Sequence, residues 1–192
     1  MILFHPSIDP VIFSIGFIEI RWYSLSYIVA FVVGSYFIEY FNNKIKPNIS
    51  EKYIDNFFIW AVIGVILGGR IGYVIFYQLG EFLVDPKYLL YIWKGGMSFH
   101  GGLIGIIASI YLFTKKNNLN FFALADLVSL VAPIGLFFGR IANFINVELY
   151  GRVTDFPFAI IYPTIDYLPR HPSQLYEAFF EGIFLFGILT IF

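Results

Sequence analysis

The chain has 192 residues, a formal net charge of −1 and no cysteine; 59% of its residues are hydrophobic and 13% are charged. With a mean hydropathy of +0.77, this composition excludes an ordinary soluble domain and favours a protein embedded in a lipid bilayer. The lack of cysteine excludes disulfides, thiolate metal sites and a thiol nucleophile in the chain itself, and no basic tract indicates nucleic acid as a partner.

Five apolar stretches approach or exceed the ~20 residues that an α-helix needs to cross a bilayer. They are predicted at 22–41, 57–77, 98–113, 121–145 and 173–192. We therefore predict an all-α integral membrane protein in which residues 1–192 form a single membrane domain. The last stretch ends at Phe192 without a basic or aromatic-polar flank, so we expect a chain that has been cut short.

Three segments outside the spans have features of their own. Residues 18–22 alternate apolar and polar side chains, which predicts a short extended stretch before the first span. Asp85 and Pro86 predict the N-cap and first turn of a short helix over 87–94, lying in the outer membrane interface. Residues 151–172 contain four prolines and are predicted to form a short outer head loop.

Lysines predict the orientation in the membrane. Lys44, Lys46 and Lys52 share one short loop, and Lys115 and Lys116 share another. The positive-inside rule then places both loops in the cytoplasm and the N-terminus outside.

Glycines recur at intervals of four on three predicted spans. The positions are Gly64, Gly68 and Gly72 on the second span, Gly101 and Gly105 on the third, and Gly135 and Gly139 on the fourth. This spacing lets helix backbones approach closely, and we interpret it as helix packing. The glycines on both sides of His100 have a second interpretation, because they leave its imidazole open to a ligand.

Polar side chains collect toward the outer ends of the spans. Arg70 lies thirteen residues after Phe57, which corresponds to about 20 Å along a helix. His100 begins the third span, and Glu177 and Glu181 lie in the first turns of the fifth. A charged residue at membrane depth costs at least ~2.5–3.5 kcal/mol and is a functional candidate by default.

The end of the fourth span is the strongest candidate region. Arg140, Asn143 and Asn146 fall within about a third of the helix circumference, so they can face one cavity. Arginine binds phosphate in a bidentate fork, and a phospholipid headgroup in the outer leaflet is the anion predicted at this depth. The two asparagines have an alternative role as polar contacts between helices.

Structural roles stay open for other candidates as well. Arg70 could form a buried ion pair with Glu177 or Glu181, and His100 could be a hydrogen-bonded residue at a helix start. No pair of histidines or carboxylates has metal-binding spacing, and neither a metal nor a cofactor is predicted. Two histidines beside prolines are expected to contribute little: His5 and His171.

Several long motifs occur in order along the chain. They are GGRIGYVIFY at 68–77, GGMSFHGG at 95–102, GRIANFINVELYGR at 139–152 and RHPSQLYE at 170–177, after DPVIFSIG at 9–16 and RWY at 21–23. Together they resemble the motifs of the prolipoprotein diacylglyceryl transferase family, and they extend over nearly the whole chain.

The resemblance implies an enzyme of the bacterial inner (cytoplasmic) membrane with its active site toward the outer leaflet. Such an enzyme transfers the diacylglyceryl group of phosphatidylglycerol to the lipobox cysteine at the signal peptide of a prolipoprotein, the first step of lipoprotein maturation. A thioether forms and glycerol phosphate is released. The nucleophilic thiol belongs to the substrate, in agreement with a chain that has no cysteine.

The resemblance also implies roles for individual residues. Arg140, supported by Arg70, is expected to bind the phosphate, and His100 is expected to act as the general base or to position the lipid. The residues expected to bind phosphatidylglycerol are Tyr23, Arg70, Arg140, Asn143, Asn146, Glu148 and Gly151.

Family members continue through two more helices, and the sixth carries arginine and acidic residues near the active site. Those helices are absent here, and the outer loop is short for the family. An inactive fragment or a structural membrane subunit is therefore an alternative. An anion channel or transporter is a further one, although such a protein should have internal repeats and polar groups near the midplane, and the sequence has neither.

Overall fold

A computed structural model describes residues 3–16, 18–44, 49–92 and 95–191. Two residues of the predicted basic and interfacial segments, Lys46 and Lys94, and the terminal Phe192 lie outside the described residues. The chain divides into two compact units, Met1–Tyr40 with Val128–Phe192, and Phe41–Leu127.

Helices make up most of the described chain. In order they are α1 (Trp22–Asn42), α2 (Glu51–Tyr77), α3 (Leu79–Val84), a 3₁₀-helix (Pro86–Leu90), α4 (Phe99–Asn117), α5 (Phe121–Ile145), and α6 (Ser173–Glu177), which continues through a π-helical stretch (Ala178–Phe184) into α7 (Leu185–Ile191).

Four helical segments of the described chain are long and apolar enough to cross a membrane. They are α1, α2, α5 and the continuous segment Ser173–Ile191. The all-α membrane fold is therefore confirmed. The third predicted span, 98–113, is helical as α4, but its glycines and the lysines of its last turn lower its hydropathy, so it is not among the four.

Short strands lie in the first unit. The hairpin of β2 (Val11–Ile15) and β3 (Ile18–Arg21) leads directly into α1, which confirms the extended stretch predicted at 18–22. In the loop between α5 and α6, β4 (Ile160–Ile161) pairs in parallel with β1 (Leu3–Phe4) and antiparallel with β5 (Pro169–Arg170). This small sheet fixes the chain start to the loop between α5 and α6.

Glycine packing holds α2 against α4 in the second unit. A Cβ atom added at Gly68 would lie 2.8 Å from Gly105 Cα, and one added at Gly72 would lie 2.8 Å from Gly101 Cα. Because real Cβ atoms do not approach other atoms this closely, the contact needs glycine at these positions. The packing predicted from the spacing on α2 and α4 is confirmed, whereas a Cβ at Gly135 on α5 would have no described atom within 4 Å.

The short helix predicted after Asp85 begins where the sequence predicts it. Asp85 is the N-cap, and its Oδ1 atom accepts a hydrogen bond from the Lys87 N–H at 3.1 Å. The 3₁₀-helix Pro86–Leu90 is interrupted at Tyr91, whose hydroxyl donates to Asp85 Oδ2 at 3.1 Å. The last two residues of the predicted helix, 93 and 94, lie outside the described residues. The preceding helix α3 is not anticipated from the sequence.

Candidate functional site

Arg140 lies in the last two turns of α5 and forms ion pairs with two carboxylates. Its Nη1 atom is 2.9 Å from Glu177 Oε2, and its Nη2 atom is 3.1 Å from Glu181 Oε2; Nε also donates to Glu181, at 3.3 Å. The side chains are 24%, 35% and 43% exposed for Arg140, Glu177 and Glu181. The guanidinium is therefore paired but not sealed, and another anion can reach it.

Glu181 belongs to the π-helical stretch that follows α6. A π-helical turn widens the helix locally and occurs frequently at functional sites. Here it lies in the segment that carries both carboxylate partners of Arg140. The sequence places Glu177 and Glu181 near the helix start, but it suggests Arg70, not Arg140, as their partner.

The chain turns sharply after α5, at Glu148. The neighbouring residues Val147 and Leu149 have φ values of 59° and 53°, a left-handed conformation that costs non-glycine residues of order 1–3 kcal/mol each. Asn143 stabilises the turn twice: its carbonyl accepts from the Glu148 N–H at 2.8 Å, and its Nδ2 donates to Glu148 Oε2 at 3.0 Å. Asn143 is thus bonded to this turn.

Two side chains that the sequence analysis left without a role support the same turn. Gln174, in α6, donates from Nε2 to the Glu148 carbonyl at 2.6 Å and accepts from the Tyr162 hydroxyl at 3.2 Å. Both Gln174 and Tyr162 are fully buried. Burial raises the pKa of Tyr162 to about 12, although the hydrogen bond to Gln174 acts in the opposite direction. The hydroxyl therefore stays protonated and continues to donate.

Asn146 has an unpaired acceptor. Its Oδ1 atom is buried and has no hydrogen-bond partner in the described part of the chain. A buried acceptor left unsatisfied costs about 1–3 kcal/mol, and such an atom calls for an explanation. A hydrogen-bond donor from a ligand or water would satisfy it.

Gly151 approaches the loop before α6 closely. Its N–H donates to the His171 carbonyl at 2.9 Å, and an added Cβ would lie 2.7 Å from that same carbonyl oxygen. Only glycine fits this contact without displacement. The geometry gives Gly151 a packing function that by itself accounts for the glycine.

Tyr23 and His5 lie in the same unit. Tyr23 is in the first turn of α1, half-buried, with its ring 5.3 Å from that of Tyr27. His5 is 4% exposed; it accepts from the Ser7 N–H at Nδ1, so Nε2 carries the proton that it donates to the Phe144 carbonyl at 2.9 Å. The expectation that His5 contributes little is wrong, because it connects the chain start to the end of α5.

Arg70, in the second unit, is occupied by backbone carbonyls. Nη2 donates to Tyr88 at 2.7 Å, Nε to Leu89 at 3.2 Å and Nη1 to Gly95 at 2.6 Å. The residue is 3% exposed. The ion pair with Glu177 or Glu181 that the sequence allowed for Arg70 is therefore wrong; its carbonyl bonds fix the segment that precedes α4.

His100 lies in the first turn of α4, after the N-cap Ser98. Its side chain is exposed and makes no hydrogen bond to any residue in the described ranges, with Phe99 as its ring neighbour at 5.7 Å. The alternative of a hydrogen-bonded helix-start histidine is therefore wrong. The imidazole can accept a proton from a molecule that approaches it.

Chemically, the first unit combines a partly exposed guanidinium, an unpaired amide acceptor and an exposed carboxylate over 140–148. This set can bind an anion together with adjacent hydroxyl donors. The second unit, by itself, has an exposed imidazole at His100 and a buried guanidinium at Arg70.

Comparison with known proteins finds one family. The chain matches the family described as prolipoprotein diacylglyceryl transferase over residues 10–192. It is 54% identical over 185 residues to the phosphatidylglycerol–prolipoprotein diacylglyceryl transferase of Rickettsia typhi, covering 96% of this chain and 71% of that protein. With the protein of the same description from Rickettsia canadensis it shares 52% identity over 188 residues, covering 98% and 73%.

Proposed function

The chain belongs to the prolipoprotein diacylglyceryl transferase family, and on that basis we propose that it transfers the diacylglyceryl group of phosphatidylglycerol to the cysteine thiol of a prolipoprotein. Two features of the first unit support this proposal: the partly exposed Arg140 guanidinium and the unpaired Asn146 Oδ1 atom. The lipobox cysteine at the signal peptide is the proposed acceptor.

The reaction joins sulfur to carbon and releases a phosphate ester. The substrate thiol loses its proton to a base, since the thiolate is the nucleophile. The thiolate attacks the sn-3 carbon of the lipid glycerol, the bond from that carbon to the phosphate oxygen breaks, and glycerol phosphate leaves with the electron pair. The leaving group gains negative charge, which fixed cations in a water-poor site stabilise strongly.

Arg140 is the observation that carries the proposal. Its guanidinium lies near the end of a membrane-spanning helix and is held by two carboxylates that are each more than a third exposed. A headgroup phosphate can compete with Glu177 and Glu181 for the guanidinium, because protein atoms do not enclose either carboxylate. Arginine offers the phosphate a bidentate fork.

The remaining residues of the first unit are proposed to orient the headgroup. The unpaired Oδ1 of Asn146 suits a hydroxyl donor such as those of the terminal glycerol. Glu148, presented by its turn and bonded to Asn143, and Tyr23, at the start of α1, are the other side chains assigned to the lipid. Gly151 contributes by allowing the close packing described above.

His100 is the proposed general base, since its exposed imidazole is free to accept the thiol proton. Arg70 as a phosphate ligand stays a prediction: its present carbonyl bonds would have to open for it to reach an anion. We also propose the bacterial inner membrane as the location, with the N-terminus outside and the site toward the outer leaflet.

A reconstitution experiment tests the proposal. The protein is placed in vesicles that contain phosphatidylglycerol and is given a peptide with one lipobox cysteine. We expect a peptide carrying one diacylglyceryl group, together with released glycerol phosphate, and no product from a cysteine-to-serine peptide. Absence of product from the cysteine peptide, or anion flux through the vesicles without product, would refute the transferase.

A further inference from the structure

We infer that Gln174 is a positioning residue for the transfer reaction: it fixes the turn over 147–149 that presents the Glu148 carboxylate. The inference rests on the proposed function, because Glu148 is one of the side chains assigned to phosphatidylglycerol. Gln174 acts through the backbone of Glu148 rather than on the lipid.

Both polar atoms of the Gln174 carboxamide form hydrogen bonds. Nε2 donates to the Glu148 carbonyl at 2.6 Å, and Oε1 accepts from the Tyr162 hydroxyl at 3.2 Å. Gln174 and Tyr162 are both 0% exposed, so neither bond is weakened by water. These two hydrogen bonds need an N–H donor and a carbonyl acceptor at the end of one side chain, and glutamine has both. Methionine has neither an N–H nor a carbonyl group, and an ionised glutamate has no donor.

The turn needs support from two sides. Val147 and Leu149 both have left-handed φ values, and such a conformation persists only where the surroundings hold it. Asn143, in α5, binds the Glu148 N–H and carboxylate, and Gln174, in α6, binds the carbonyl. Without Gln174 the turn is anchored to α5 alone and can relax.

The Glu148 side chain is exposed, whereas Gln174 and Tyr162, which hold its backbone in place, are buried. Glu148 has an exposed side chain, and Oε2 is its one carboxylate oxygen with a partner among the described residues. A fully buried network that fixes the backbone of an exposed carboxylate is an arrangement that presents this group to another molecule.

The test compares Gln174→Met and Gln174→Glu with a control, Gln78→Met. The control substitution also removes a side-chain hydrogen bond, the one that Gln78 Nε2 donates to the Tyr73 hydroxyl at 3.2 Å. Gln78 is not among the residues proposed to bind the lipid or to take part in the transfer. We expect Gln174→Met to lower kcat/KM for phosphatidylglycerol roughly 10- to 100-fold, the effect of a small misplacement in a site, and Gln78→Met to change it less than about 2-fold. Equal activity of the two methionine variants would overturn the inference.

Gln174→Glu adds a readout that a purely structural role does not give. When protonated, the glutamic acid can donate to the Glu148 carbonyl, and when ionised it cannot. The activity of Gln174→Glu relative to wild type should therefore fall as pH rises, within the range where the variant stays folded. A ratio independent of pH would contradict the positioning role, and this variant serves if Gln174→Met does not fold.

Hydrogen exchange separates this inference from the proposed function. Exchange of the Glu148 amide should be faster in Gln174→Met than in Gln78→Met, whether or not the wild-type protein transfers lipid. If the Glu148 amide exchanges faster in Gln174→Met but the wild-type protein transfers no lipid, Gln174 does hold the turn and the proposed function is wrong. Unchanged exchange would reject the support of the turn itself.

Discussion

Arg140 and Arg70 both lie in apolar helices, but their partners give them different chemistry. Arg140 binds two partly exposed carboxylates, which an incoming phosphate can replace. Arg70 is buried and binds neutral carbonyl oxygens, which hold a loop and are lost only if that loop moves. The charge of an arginine therefore does not by itself define a phosphate site. An arginine can bind phosphate only if the phosphate can replace the groups that it already binds.

Replacement of Arg140 by lysine tests the phosphate role. Lysine keeps the charge but loses the planar fork, so we expect transfer to fall at least ~100-fold, the usual effect of removing one such donor. Membrane insertion should be unchanged. Arg21→Lys is the matched control, because the exposed Arg21 side chain pairs only with the exposed Glu19 among its described neighbours. We expect this variant to keep the transfer activity of wild type. Full activity of Arg140→Lys would remove the phosphate role.

His100→Gln tests the general base. Glutamine can form hydrogen bonds but cannot take up the thiol proton, so we expect the variant to transfer lipid ~10²–10⁴-fold more slowly than wild type, the range of general-base contributions. A variant that transfers lipid at the wild-type rate would contradict the role of general base.

At the scale of elements, the pair of α2 and α4 depends on its glycines. Gly68→Ala places a methyl group against Gly101 and Gly105, and we expect it to destabilise the protein by about 1–3 kcal/mol, as overpacking usually does. Gly135→Ala is the control, because no described atom lies within 4 Å of the added Cβ, and alanine favours helix by up to ~1 kcal/mol. Unfolding in detergent measures both, and equal stability of the two variants would contradict the packing.

The sequence predicts the helices of this protein well because hydropathy and glycine spacing are local patterns. The predicted span 98–113 ends four residues before α4 does, because the helix continues past the apolar stretch through Lys115 and Lys116 to Asn117. The support of the Glu148 turn could not be predicted: Gln174 binds the Glu148 carbonyl from 26 positions away along the chain, and Gln174 is itself held by the Tyr162 hydroxyl, a contact that depends on the fold of the loop between α5 and α6. The same holds for His5, whose partner Phe144 is 139 positions away.

At the scale of the whole molecule, the orientation in the membrane can be measured directly because the chain has no cysteine. A single cysteine at Asp155, exposed in the loop between α5 and α6, should react with an impermeant maleimide in intact cells if the proposed orientation is right. A cysteine at Lys115, exposed at the end of α4, should react only after permeabilisation. The opposite labelling pattern would reverse the proposed orientation and place the site at the inner leaflet.

The chain covers 71% of the Rickettsia typhi protein that it resembles, and activity must be measured on this chain itself. The most direct measurement supplies phosphatidylglycerol with deuterium on the sn-3 carbon and records the mass of the peptide product. Our account predicts that the cysteine gains the glycerol carbons with both deuterium atoms and both acyl chains. A peptide that gains only an acyl chain, or remains unmodified, would contradict the transfer of a diacylglyceryl group.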